Sequence, residues 1–184
     1  PRVRYATHRG RRGTTLPSVA ESDAPDVDEQ VDPRPAHGRP FVADGFAPPA
    51  PPATESFRLE PLGAQHNEAD YEAWTSSVDH IHATPGFETR RWPHPMTLEQ
   101  NLADLEMHAR HFERRLGFTY TVLEPHSDDV VGCVYVYPSD DPAVDARVRS
   151  WVRASHAPLD EDLARTVDAW LRSDAWPFQV VAYR

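Results

Sequence analysis

The chain of 184 residues contains no lysine: all 19 of its basic side chains are arginine. Schiff-base chemistry and a phosphate-binding lysine of the P-loop kind are excluded. There is one cysteine, Cys133, so neither an internal disulfide nor a cysteine-built zinc site can form. A single thiol suits a reducing compartment, and a cytoplasmic location is expected. No run of 18 apolar residues occurs, so no membrane-spanning helix is expected. Excess positive charge is missing too: the formal net charge is −10 and the pI about 5.4. Generic nucleic-acid binding needs a basic surface, so nucleic acid and membrane are not expected partners. The chain has no initiator methionine, and its arginine-rich opening, Pro1 to Arg12, is followed by the polar Gly13 to Ser18. That is not a secretory signal, and the expectation is a fragment or an unusual gene start.

Proline, by contrast, is abundant, at 19 residues against 8 glycines. Ten of those prolines and none of the 5 tryptophans precede Ser56. Residues 21–32 are acidic, and Ala47 to Pro52 reads as an extended polyproline-type linker. No apolar periodicity offsets the entropy of ordering this stretch, roughly 1–2 kcal/mol per residue for the backbone alone. The expectation is a disordered tail over 1–56 and one folded domain over 57–184.

Within 57–184 the hydrophobic spacing is regular. Phe57 to Glu60 alternates as a short strand, which Pro61 confines to an edge. Tyr71, Trp74, Val78 and Ile81 form one helical stripe that Pro85-Gly86 stops. Thr97 to Gln100 has the form of a capping box, and Leu98, Leu102, Leu105, Ala109, Phe112 and Leu116 follow at helical spacing up to Gly117. Phe118 to Leu123, Val130 to Tyr137 and Arg147 to Arg153 read as strands, the second covered on both faces. Leu159, Leu163, Val167, Trp170 and Leu171 mark a further helix, and Pro177 to Tyr183 a last strand. Trp74 and Trp170 are expected in the core. The order is β-α-α-β-β-β-α-β, an α/β mixed sheet whose last helical crossover makes its two flanking strands parallel neighbours.

That order resembles the GNAT superfamily of acyl-CoA-dependent N-acyltransferases, over about residues 57 to 184. Phe57 to Leu62 looks like the family's opening strand. Val130 to Tyr137, with its Val-Gly pair after a turn, looks like the central strand, and Ser150-Trp151-Val152 like the end of the fourth. The resemblance implies a mixed GNAT-like sheet and acetyl-CoA held by Trp151, Val152, Arg153, Ser155 and His156. It also implies acetyl transfer to an amine, carried by a small molecule or a protein. In the family a glycine-rich loop follows the fourth strand and brings backbone N–H groups of a helix start onto the pyrophosphate. The matching stretch here is Arg153 to Pro158, with His156 and Pro158 where small residues are usual and Asp160, Glu161 and Asp162 at the helix start. The chain stops at Arg184, ahead of the helix that often carries the family's thiolate-protonating tyrosine. A non-catalytic GNAT-like binding or interaction module is the alternative reading.

Other residues are candidates from their chemistry alone. Glu60, Glu124 and His156 are conceivable bases. Cys133, mid-strand among apolar residues, reads as buried and structural. His80 with His82, and His108 with His111, lack a third partner for a metal site. Arg147, Arg149 and Arg153 alternate on one strand face around Trp151, as either an anionic-ligand site or a solvent-facing edge.

Overall fold

The computed structural model describes residue 33 and residues 37–184. Five strands form one sheet in the order β1 (Arg58–Pro61), β2 (Phe118–Leu123), β3 (Val130–Pro138), β4 (Ala146–Val152), β5 (Val181–Tyr183). The first three pairings are antiparallel and β4–β5 is parallel, as the helical crossover requires. The helices are α1 (Asn67–Thr75), α2 (Val78–His82), α3 (Leu98–Glu113) and α4 (Asp160–Leu171). The expected mixed α/β sheet is the observed one, with one more helix between β1 and β2 than expected.

Two apolar clusters sandwich the sheet. On one face Val134, Val136, Val148 and Val152 meet Leu163, Val167 and Leu171 of α4. On the other, Cys133 and Trp151 meet Trp74, Ile81, Phe87 and Leu105. The Val-Gly pair of β3 has a steric reason. A Cβ on Gly132 would lie 2.2 Å from the Trp151 carbonyl oxygen, so only glycine lets β4 approach here. Next to it the β2–β3 register shifts between Val122 and Leu123, whose partners are Gly132 and Val130. Val131 is thus the extra residue of a bulge.

The stripe expected as one helix over 71–81 is two helices. Thr75 Oγ1 donates to the Tyr71 carbonyl and Ser76 Oγ to that of Ala73. Ser77 then leaves helical geometry at φ −136°, ψ 16°. Hydroxyls that bond back to the helix compete with its ladder, and α2 restarts beyond them. In α3 the capping box forms as expected: Thr97 Oγ1 accepts from Gln100 N, and Gln100 Oε1 from Thr97 N. The last strand is shorter than expected, because both the Gln179 and Val180 amides donate to the Asp145 carboxylate. Trp74 is buried, while Trp170 is half-buried, edge-on to Tyr120 and Trp176.

The expected tail needs a correction over residues 41–53. Val42 is buried. Phe41 stacks on Phe178 with centroids 5.1 Å apart, and Phe46 lies 5.5 Å from Trp176. Arg115 Nε donates to the Phe46 carbonyl at 2.7 Å, and Leu59 N to that of Pro52 at 2.9 Å. The prolines hold an extended strap whose aromatic residues reach the core, so packing begins ahead of Ser56. Residues 1–32 and 34–36, with the disorder expected there, lie outside the described residues.

Candidate functional site

The chemistry gathers at the end of the β4–β5 pair. The two strands pair from Ala146–Val181 to Val148–Tyr183, and Arg184 N still donates to the Val148 carbonyl at 2.9 Å. From there side chains link Arg184 to β4 and α4. Arg184 reaches both Asp160 carboxylate oxygens, at 2.7 and 2.5 Å, and donates to Ser150 Oγ at 3.0 Å. Tyr183 OH donates to the same Ser150 Oγ at 2.8 Å. Burial pushes the Tyr183 phenol up to about 12, so at neutral pH it is an un-ionised donor.

The segment joining β4 to α4 is a 3-10 turn over Ala154–Leu159. Two of its amides, and the one that follows it, are committed. Ala154 N donates to Ser77 Oγ at 3.0 Å, His156 N to the Arg153 carbonyl at 2.8 Å, and Asp160 N to the Ala157 carbonyl. Pro158 has no N–H to offer. Asp160, Glu161 and Asp162 fill the first turn of α4.

The residues singled out from sequence do not converge. Trp151 is fully buried on the α1–α3 face, its Nε1 donating to Tyr135 OH at 3.2 Å. Val152 is buried in the opposite cluster. Arg153 reaches α1, on the same face of the sheet as Trp151, and pairs with Glu72 at 3.0 Å. Ser155 is exposed and bonds His156 Nδ1 at 3.0 Å, and His156 Nε2 meets Glu124 Oε1 at 3.2 Å. Two of the three conceivable bases thus touch each other. The third, Glu60, is on β1 at the far edge of the sheet, where His66 Nε2 lies 2.6 Å from it. Cys133 is buried, and burial first, then the Asp70 charge, pushes its thiol well above its ordinary value.

A second group lies on the α1–α3 face. Tyr135 and Tyr137 of β3 stand opposite Arg149 and Arg147 of β4. His108 and His111 of α3 both approach Tyr137 OH through Nδ1, at 2.7 and 3.0 Å. Burial, followed by His111 and Arg149, lowers His108 to about 3, so it stays neutral. Among the described residues no group of three His, Cys, Asp or Glu is placed to hold a metal. Beside this group opens a cavity of about 200 Å³, lined by Gly86, Glu88, Arg90, Arg147, Arg149 and Arg184 among others. Sequence reasoning missed Arg90, Arg184 and the two tyrosines. Tyr135 and Tyr137 were visible as alternate positions within the apolar run, whereas nothing local ties Arg90 or Arg184 to β4.

No family model matches the chain, and no curated protein matches it. Solved structures do. The ribosomal L7/L12 alpha-N-protein acetyltransferase RimL is 12% identical, with TM-score 0.50 over 65% of this chain and 61% of that one. The ribosomal-protein-S5-alanine acetyltransferase from Vibrio fischeri is 12% identical, with TM-score 0.52 over 67% of each chain. The microcin C7 self-immunity acetyltransferase MccE, solved with acetyl-CoA and AMP, is 9% identical, with TM-score 0.50 over 71% of each. The chain spans less than two thirds of the RimL structure. At these identities the likeness is one of fold, and it agrees with the strand order and the parallel β4–β5 pair: the chain has a GNAT-like fold.

Proposed function

We propose that the chain is a binding module on a GNAT-like fold whose cofactor end is closed by its own side chains. One observation carries this reading: Arg184 bridges Asp160 and Ser150 across the gap between β4 and α4. Acetyl-CoA, the cofactor that the fold implies, does not fit the residues there. A pyrophosphate needs free N–H groups at a helix start and no competing anion. Here the Ala154, His156 and Asp160 amides have protein partners, Pro158 has none to give, and the Asp160 carboxylate already holds the nearest guanidinium.

A second reading, acyl-CoA-dependent acetyl transfer to a small-molecule or protein amine in the cytoplasm, is favoured by the parallel β4–β5 pair of the GNAT-like fold. The cavity touching Val148 and Arg184 opens at the end of that pair. Melting curves with CoA, acetyl-CoA and longer acyl-CoAs separate the two. A ligand at 100 times its Kd stabilises by roughly 2.7 kcal/mol. The module reading expects no shift at concentrations up to about a millimolar. A saturable shift at micromolar acetyl-CoA would install the transferase reading in its place.

A further inference from the structure

We infer that His108, His111 and Tyr137 form a three-ligand site for a divalent transition-metal ion of the zinc or copper type. The site lies on the α1–α3 face and stands whichever reading of the cofactor end holds. In sequence His108 and His111 lack a third ligand, and the fold supplies one from β3. Tyr137 OH lies 2.7 Å from His108 Nδ1 and 3.0 Å from His111 Nδ1. Among the described residues no three His, Cys, Asp or Glu side chains make such a group, so the phenol is what completes this one. The three rings stand steeply to one another. The histidines are 6.3 Å apart between centroids at 89°, and Tyr137 is 6.0 Å from His108 at 68° and 5.9 Å from His111 at 83°.

The cluster is built by two elements. Residues three apart on a helix share a face, so α3 presents both imidazoles together. Tyr137 reaches them because Gly117 has no side chain: a Cβ there would overlap the Tyr137 ring. Thr119 Oγ1, 3.1 Å from His108 Nδ1, adds a neutral oxygen. The phenol has one proton and stands between two ring nitrogens, so it donates to one and must accept from the other. Protons thus hold the three atoms where a cation would take three lone pairs. Zinc takes nitrogen and oxygen ligands at about 2.0–2.1 Å, so tetrahedral neighbours stand about 3.3 Å apart. Admitting it opens the two contacts by about 0.3–0.6 Å. The phenol proton leaves to solvent, and the histidine that donated moves its proton to Nε2. Two imidazoles and a phenolate suit zinc, copper or nickel, whereas magnesium and calcium want carboxylates and carbonyls. Of the charged side chains that act on Tyr137, Asp104 favours a cation and Arg149 opposes one.

The test is calorimetric titration of the full chain with zinc chloride. It is repeated with cobalt(II) chloride, whose visible absorption reports the ligand set, and with magnesium chloride as a control. The variants are Tyr137→Phe, His108→Gln, His111→Gln and, outside the site, the exposed His126→Gln. The expected result is saturable 1:1 binding of zinc and cobalt by the wild type and by the His126 variant, and none of magnesium. Each of the three ligand variants should weaken zinc binding about tenfold or more. Tyr137→Phe keeps the ring beside Gly117 and removes only the oxygen, so it folds even if a histidine variant does not. No saturable zinc binding, magnesium binding as tight as zinc, or a loss in the His126 variant equal to that in the site variants overturns the proposal. So does an unchanged zinc affinity in Tyr137→Phe, which would leave the histidine pair without its third ligand.

Discussion

Arg184 and Asp160 face each other as a two-pronged ion pair, with side chains 15% and 21% exposed, and so tie the end of β5 to the first turn of α4. Most surface pairs are worth 0–1 kcal/mol, while removing one partner of a fully buried pair costs about 3–5. This pair lies between those limits. A double-mutant cycle with Arg184→Ala and Asp160→Ala should give a coupling of about 1–3 kcal/mol. A coupling near zero in urea denaturation would mean that the pair does not hold the gap closed.

Asp70 gives the fold a pH dependence. It is buried on the inner face of α1, and burial raises its pKa from 3.8 to about 7, opposed by the hydrogen bond from Asn101 and reinforced by Asp104. A carboxyl raised in the folded state keeps its proton there and loses it on unfolding. Its contribution to stability is full below its unfolded pKa and falls away as pH rises through about 7. The variant Asp70→Asn should therefore gain on the wild type as pH rises, by roughly 2–3 kcal/mol between pH 5 and pH 8. Parallel pH–stability curves for the two proteins would contradict this.

The strap is the next test. Phe41 and Phe46 flank Phe118 at 5.7 and 6.4 Å and also contact Phe178 and Trp176. Both are half-buried, so each change to alanine should cost less than the 3–5 kcal/mol of a fully buried phenylalanine, about 1–3. Wild-type melting of the double variant would show that the folded region begins near Ser56 after all.

Gly132→Ala should be destabilising by about 1–3 kcal/mol or more, since the obstacle is the Trp151 backbone and not a flexible side chain. Chemical denaturation reads the loss as a lower midpoint. An unchanged midpoint would mean that β3 and β4 can separate without cost at this point.

Much of this architecture was legible because it is written locally. The apolar run of β3, the capping box of α3 and the stripe of α4 each sit within about a dozen residues. The spacing of α3 was right although its buried side is set by Asn101 and Leu105, and Leu98 is 40% exposed. Trp74 explains this, since its Nε1 donates to Asn101 Oδ1 and draws that amide inward. The site was less legible. Arg153 keeps the alternation of β4, yet its guanidinium is taken by Glu72 of α1, 81 residues away in sequence. Arg90 and Arg149 come together from segments almost sixty residues apart, and no spacing rule reaches that far. Phe41, Val42 and Phe46 are too few to show a period, so the prolines around them dominated the reading.

The central claim is that the cofactor end is shut by Asp160, Arg184 and the committed amides of the turn before α4. Calorimetric titration with acetyl-CoA tests it most directly, on the wild type and on a variant carrying His156→Gly, Pro158→Gly and Asp160→Asn. These changes restore a backbone donor, clear the turn and release Arg184. With charge-assisted hydrogen bonds worth about 1.5–3 kcal/mol each, the variant should gain at least about tenfold in affinity over a wild type that shows no micromolar binding. Micromolar binding of acetyl-CoA by the wild type would contradict the account.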